Sequence, residues 1–315
     1  MTTYLMLLAG LGLLILGGEL LVRGAVAVAT ALGVSPLLIG LTRVGVGTST
    51  PELVTSVQAA LAGSPGVAVG NVVGSNIANI LLILGVAALI RPVAADPRAF
   101  RRDGAVLAAA TALALGILLS GDLGRPAGAL LTALLAGYLV LAYRLERGAA
   151  PAVAALSRAE AAPPRPGLLR PAATAAAGLV LVILGAGWLV EAAITLAQGL
   201  GVSDTLIGLT LVAVGTSLPE LTVTVTAALR GQGAVAFGNI VGSNIYNILG
   251  ILGVTALVRP IAVPPEIAAF DGWVMAAATL ALIVAAATGG RVNRAEGAAL
   301  LAAYAAYLAW LALTA

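Results

Sequence analysis

Gly47-Thr48-Ser49-Thr50-Pro51-Glu52 lies in the middle of an apolar run covering residues 36–62, and Gly215-Thr216-Ser217-Leu218-Pro219-Glu220 lies in the middle of another covering 205–229. Each run is long enough to cross ~30 Å of hydrocarbon as a helix. Each also carries a carboxylate, hydroxyls and a proline where such a helix tolerates them least. Proline lacks an N–H and its ring crowds the carbonyl four residues back, so the Gly47 and Gly215 carbonyls lose their helical partners and the helices open there. In lipid, freed carbonyls survive only against protein or a hydrated cavity, where they can act as ligands. A charged Glu at the centre of a span costs at least ~2.5 kcal/mol on insertion scales. Two of them at midplane repel each other unless a cation or protons sit between.

Outward from these motifs, the 315 residues are 61% hydrophobic and 9% charged. Apolar segments at 4–31, 36–62, 67–90, 103–119, 126–143, 171–200, 205–229, 234–258, 270–287 and 294–313 predict an all-α polytopic membrane protein of ten transmembrane helices. The first of these resembles a signal peptide in hydropathy, but it has no basic start and carries Glu19 and Arg23 within the run, so it reads as a span. The connector 144–170, rich in Ala, Pro and Arg, divides the helices five and five and is expected to fold little by itself. The domains are thus a first repeat 1–143, the connector, and a second repeat 171–315.

The division coincides with an internal duplication. At a constant offset of 168, residues 33–52 match 201–220 at 15 of 20 positions, and 70–92 match 238–260 at 18 of 23. An odd number of spans per copy makes consecutive copies enter the membrane from opposite sides, which predicts two inverted five-helix repeats. The net charge of +3 comes from sixteen arginines without lysine. They sit mostly in short connectors, which argues for loop chemistry and against nucleic-acid binding. A cytoplasmic connector would gather Arg91, Arg98, Arg101, Arg102, Arg230, Arg291 and Arg294 on its side, with both termini outside and the chain in a prokaryotic plasma (inner) membrane. The lipid bilayer is then the one evident partner, and no obligate protein partner is indicated.

With no cysteine and no histidine, there is no disulfide framework, no thiolate site and no imidazole relay. Ion chemistry must use oxygen ligands. The third and eighth spans supply more of them, because Asn71, Ser75 and Asn79, and likewise Asn239, Ser243 and Asn247, recur at i, i+4 and i+8 and form a polar stripe on a helix. Alone, such a stripe is interhelical glue. Beside the two Glu motifs, Ser75, Asn79, Ser243 and Asn247 become candidate ligands. An oxygen-only set with two carboxylates suits Ca²⁺ or Na⁺, and Mg²⁺ less well because of its strict octahedron.

GTSTPE and GTSLPE, followed by GNVVGSNIAN and GNIVGSNIYN, resemble the two alpha-repeats of the cation/calcium exchanger superfamily, especially the prokaryotic sodium/calcium exchangers. The resemblance implies that spans 2, 3, 7 and 8 hold the ions while spans 1 and 6 slide across them. It implies Ca²⁺ ligation by Glu52 and Glu220 with the backbone carbonyls of Thr48 and Thr216. Na⁺ would use oxygens of Thr48, Ser49, Ser75, Thr216, Ser217 and Ser243, the carbonyls of Gly45 and Ala213, and the same two Glu. Asn79 completes the centre, while Asn247 stands where the archaeal pattern has Asp, leaving two carboxylates instead of three.

The expected function is Na⁺/Ca²⁺ antiport by alternating access, with Ca²⁺ and Na⁺ as transported ions, no cofactor and no enzymatic activity. Proton/Ca²⁺ exchange on the same scaffold and a cation channel lined by the same residues are the rivals. An intramembrane hydrolase lacks a His or Lys base. Among the remaining charges, Glu19 and Arg23 are spaced to pair on one helix face. Glu191 corresponds to Arg23 by offset and could meet a partner across the two-fold. Arg43 lines the inner vestibule, pairs with Glu19 or Glu191, or tunes cation affinity.

Overall fold

Uncharged apolar sequence without interior proline has one inexpensive conformation in lipid, the helix, because it satisfies every backbone polar group internally. A computed structural model describes residues 2–32, 44–95, 97–157, 167–199 and 213–314, and helices dominate it. They are α1 (Thr2–Leu32), α2 (Gly45–Thr48), α3 (Thr50–Leu61), α4 (Pro65–Ile77), α5 (Gly85–Ile90), α6 (Pro97–Ser120), α7 (Arg125–Ser157) and α8 (Leu169–Gly199). The chain continues with α9 (Ala213–Thr216), α10 (Leu218–Leu229), α11 (Gly233–Ile245), α12 (Gly253–Val258), α13 (Gly272–Gly289) and α14 (Arg294–Thr314).

Among the described residues, eight stretches are long and apolar enough to cross a membrane. They coincide with eight of the ten segments read from the sequence, and the chain is an integral membrane protein. The other two segments run partly outside the described residues, and their described parts are the broken pairs α2–α3 and α9–α10. Arg43 also falls outside.

The centre of the protein is formed by two continuous helical stretches, Pro65–Ile90 and Gly233–Val258. Their most apolar windows are 72% and 83% buried within the protein, against 17% to 39% for the other six. Both contain a π-helical segment, Ala78–Leu84 and Tyr246–Leu252, between two α-helices. The outer helices present Leu8, Leu280 and Trp310 outward, as a lipid-facing surface requires.

Four two-residue strands tie the halves together. β1 (Val93–Ala94) pairs antiparallel with β4 (Arg291–Val292), and β2 (Asp122–Leu123) with β3 (Ile261–Ala262), so each ladder takes one strand from either side of the connector. Thr111 and Thr279, related by the sequence offset, meet at 3.3 Å.

Helices α1 and α8 pack backbone to backbone. A Cβ added at Gly17 would lie 2.7 Å from the Val182 nitrogen, and one at Gly185 would lie 2.8 Å from the Gly10 carbonyl oxygen. Only glycine permits that approach.

The expectation for the connector needs correction. Helix α7 continues past Tyr143 to Ser157 instead of ending with the span. Ala, Leu, Arg and Glu dominate residues 144–157. Once the span has nucleated the helix, propagation through these helix formers offsets the cost of Gly148 and Pro151 inside the stretch.

Candidate functional site

The breaks fall where proline requires them. Ser49 has φ −85° and ψ 11°, and Ser217 has φ −89° and ψ 4°, in the bridge region between helix and strand. New helices begin immediately after them with Pro51 and Pro219 in the first turn, where a missing N–H costs nothing. Glu52 and Glu220 therefore sit in the first turns of α3 and α10, and both are fully buried at 0% exposure. The positive ends of these short helices suit a carboxylate.

Each carboxylate is met from the opposite half. Ser49 Oγ donates to Glu220 Oε1 at 2.7 Å, and Ser217 Oγ donates to Glu52 Oε1 at 3.4 Å. Ser217 Oγ also lies 3.3 Å from Ser75 Oγ. Ser243 Oγ reaches both Glu220 Oε1 and the Gly45 carbonyl at 3.4 Å. The two breaks, α4 and α11 thus converge on one polar centre.

Asn79 and Asn247 are buried at 0% exposure, at the second position of each π segment. Among the described residues neither amide has a hydrogen-bond partner, and the Oε2 atoms of Glu52 and Glu220 have none either. Orphaned buried oxygens are expensive. Together they form a set that a desolvated cation would satisfy. Among the described residues no cluster of three or more acidic, His or Cys side chains occurs, in keeping with an amide at Asn247.

Of the other residues singled out from the sequence, Thr48 is buried, and its hydroxyl donates back to the Val44 and Gly45 carbonyls at 3.1 and 3.2 Å. Thr216 Oγ1 reaches Asn71 Oδ1 at 3.3 Å. Ala213 opens α9. Glu19 does pair with Arg23, at 2.6 Å, and it also pairs with Arg230 at the end of α10. Glu191 is exposed.

Four residues at the centre escaped the sequence reading as site residues. Asn71 and Asn239 bond to Ser56 and Thr224 and to the backbone of the two Glu. The available signal was spacing, since Ser56 and Thr224 stand four residues after Glu52 and Glu220 and share their helix faces. Asn76 and Asn244, by contrast, turn back to the carbonyls four residues earlier and serve their own helices.

A helical membrane protein with two buried carboxylates ringed by hydroxyls and amides from both halves of the chain is built as a cation transporter. The chain belongs to the sodium/calcium exchanger family, a class of cation/Ca²⁺ antiporters: the family model described as "Sodium/calcium exchanger protein" matches residues 2–144 and again 171–313. It is 41% identical over 305 residues to CaxA of Alkalimonas amylolytica, covering 95% of each chain. It is 35% identical over 358 residues to the sodium/calcium exchanger MaX1 of Methanosarcina acetivorans, covering 97% of each. The solved structure of the sodium-calcium exchanger NCX_Mj, soaked with 10 mM Na⁺ and no Ca²⁺, superposes with a TM-score of 0.85 at 32% identity, covering 98% of each chain.

Proposed function

We propose that this protein exchanges Na⁺ for Ca²⁺ across a prokaryotic plasma membrane, exporting Ca²⁺ against inward Na⁺, by alternating access between two inverted five-helix repeats, 1–143 and 171–315. The observation that carries this reading is the pair of buried carboxylates, each held at one oxygen by a serine from the opposite half and each with its second oxygen unpartnered among the described residues. The offset of 168, the cross-paired strands and the Thr111–Thr279 contact support ten spans related by an in-plane two-fold. Arginine placement supports a cytoplasmic connector 144–170 and outside termini.

In this reading Ca²⁺ is held by Glu52 and Glu220 with the Thr48 and Thr216 carbonyls. Na⁺ is held by the Thr48, Ser49, Ser75, Thr216, Ser217 and Ser243 oxygens, the Gly45 and Ala213 carbonyls and the same carboxylates, with Asn79 and Asn247 closing the centre. Two ionised Glu are neutralised by one Ca²⁺ or by two Na⁺. Crowding both kinds of ion into one cage is repulsive, so occupancy is mutually exclusive and exchange follows. MaX1 and NCX_Mj, both described as sodium/calcium exchangers, support the choice of ions.

Proton/Ca²⁺ exchange is the second reading, favoured by the same unpartnered Oε2 atoms, either of which could carry a proton. Ca²⁺ uptake into proteoliposomes separates the two. Interior Na⁺ should drive uptake where interior K⁺ does not. Uptake driven by an acid interior alone overturns the sodium assignment, and uptake without any counter-ion gradient indicates a channel.

A further inference from the structure

Glu19 of α1 reaches two arginines, Arg23 one turn further on at 2.6 Å and Arg230, which caps the C-terminus of α10. The first contact lies within one helix, whereas the second joins the two halves of the chain. A cation suits the carbonyl end of a helix, which accounts for an arginine at that position. One residue before Glu19, Gly18 lies against the same helix. A Cβ there would lie 2.8 Å from Thr226 Oγ1 and 2.9 Å from Thr222 Cγ2. Thr222, Thr226 and Arg230 recur every four residues and form one face of α10. The missing side chain lets α1 settle on that face, and the ion pair joins the helices where α10 ends.

The other half is built differently. At the offset of 168, Gly187 of α8 stands where α1 has Glu19, and Ala62 follows α3 where Arg230 follows α10. The α3 face equivalent to Thr222 and Thr226 consists of Val54, 48% exposed, and Gln58, also exposed. Thr222 and Thr226 themselves are half-buried. One face is therefore covered by α1 while its counterpart is open. Exchanging the two halves about the in-plane two-fold turns one access state of an inverted-repeat antiporter into the other. A charge pair that only one half can form stabilises only one of those states.

We infer that Glu19 and Arg230 form a latch that holds α1 on α10 and biases the antiporter toward the access state in which the Arg230 end is closed. The inference rests on the antiport reading and adds to it which state is favoured at rest and the contact that favours it. With a cytoplasmic connector, the closed end is the cytoplasmic one. Release is built into the same network, because Glu19 keeps Arg23 as its counter-charge when α1 leaves α10. Arg230 and Glu19 are 32% and 29% exposed, so the pair is weak enough to break in every cycle.

The chain has no cysteine, so one introduced thiol reports on one place. Thr226→Cys puts a thiol under α1, and its rate of modification by a water-soluble maleimide, measured on the purified full-length protein, follows the fraction of time that α1 is away. Adding Glu19→Gln or Arg230→Gln should raise this rate about two- to fivefold, as expected for the loss of a partly exposed ion pair. Adding Glu19→Arg together with Arg230→Glu should bring the rate back toward that of Thr226→Cys alone. Rates unchanged in both single-charge variants, or no recovery on exchanging the charges, overturn the inference. Should the charge variants not fold, Gly18→Cys combined with Thr226→Cys tests the same contact, since the two positions adjoin and should cross-link on oxidation. Oxidation should stop Na⁺-driven Ca²⁺ uptake and reduction restore it; failure to cross-link, or uptake undiminished by the cross-link, overturns the inference. Wild-type protein that transports no Ca²⁺ sinks the antiport reading instead, and the labelling rates are read without transport, so the two failures are distinguishable.

Discussion

Ser49 Oγ stands 2.7 Å from Glu220 Oε1, while the equivalent pair, Ser217 Oγ and Glu52 Oε1, stands at 3.4 Å. The centre is therefore shared between halves but not symmetric in detail, and Glu220 is the more tightly held carboxylate. Hydrogen bonds to charged groups contribute about 1.5–3 kcal/mol, and geometry sets where in that range they fall. Ser49→Ala should accordingly weaken Ca²⁺ binding by about tenfold or more, and Ser217→Ala by less. Equal effects, read from Ca²⁺ titrations of the two purified variants, would remove the asymmetry from the functional site.

Both carboxylates are needed for the charge balance. Glu52→Gln and Glu220→Gln are near-isosteric, and each should abolish Ca²⁺ uptake in proteoliposomes while leaving the detergent-solubilised protein monodisperse. Measurable exchange in either variant takes that residue out of the site.

Among the described residues, Asn247 has no hydrogen-bond partner for either side-chain polar atom. Asn247→Asp would place a third carboxylate at that position. At alkaline pH the added charge should raise Ca²⁺ affinity. As pH falls the new group takes up a proton and the gain should disappear, giving the variant a steeper pH dependence than the wild type. Calcium titrations at several pH values check this; parallel profiles would show that the corner does not face the ion.

Exchange of three Na⁺ for one Ca²⁺ would move one net positive charge with the Na⁺. In Na⁺-loaded vesicles taking up external Ca²⁺, an interior-positive potential set with K⁺ and valinomycin should speed uptake and an interior-negative one should slow it. Flux indifferent to the potential would favour two Na⁺.

The α1–α8 contact gives a stability prediction. A side chain at Gly185 would meet the Gly10 carbonyl at 2.8 Å and the Leu14 nitrogen at 2.9 Å, both backbone atoms that cannot rotate away. Gly185→Val should destabilise the protein by about 1–3 kcal/mol, seen as a lower thermal midpoint in detergent. Gly187→Val, on the same helix with open space at its Cβ position, should have little effect.

By itself the sequence determined eight apolar spans, the duplication and the two broken helices. Each is written in local chemistry: uninterrupted apolar length, identity at a fixed offset, and a proline four residues after a glycine. Pairing of Glu19 with Arg23 was legible for the same reason, since the two are one helical turn apart. Contacts across halves were not legible, because nothing in a linear chain says which face of one helix meets which face of another. Only the tertiary structure brought Arg230 to Glu19, set Asn71 against Thr216, and seated Ser49 on Glu220. It also introduced the π segments in which Asn79 and Asn247 sit. The motif Gly47 to Glu52 specified a carboxylate that needs a partner; packing decided that the Ser217 hydroxyl donating to it comes from the other half of the chain.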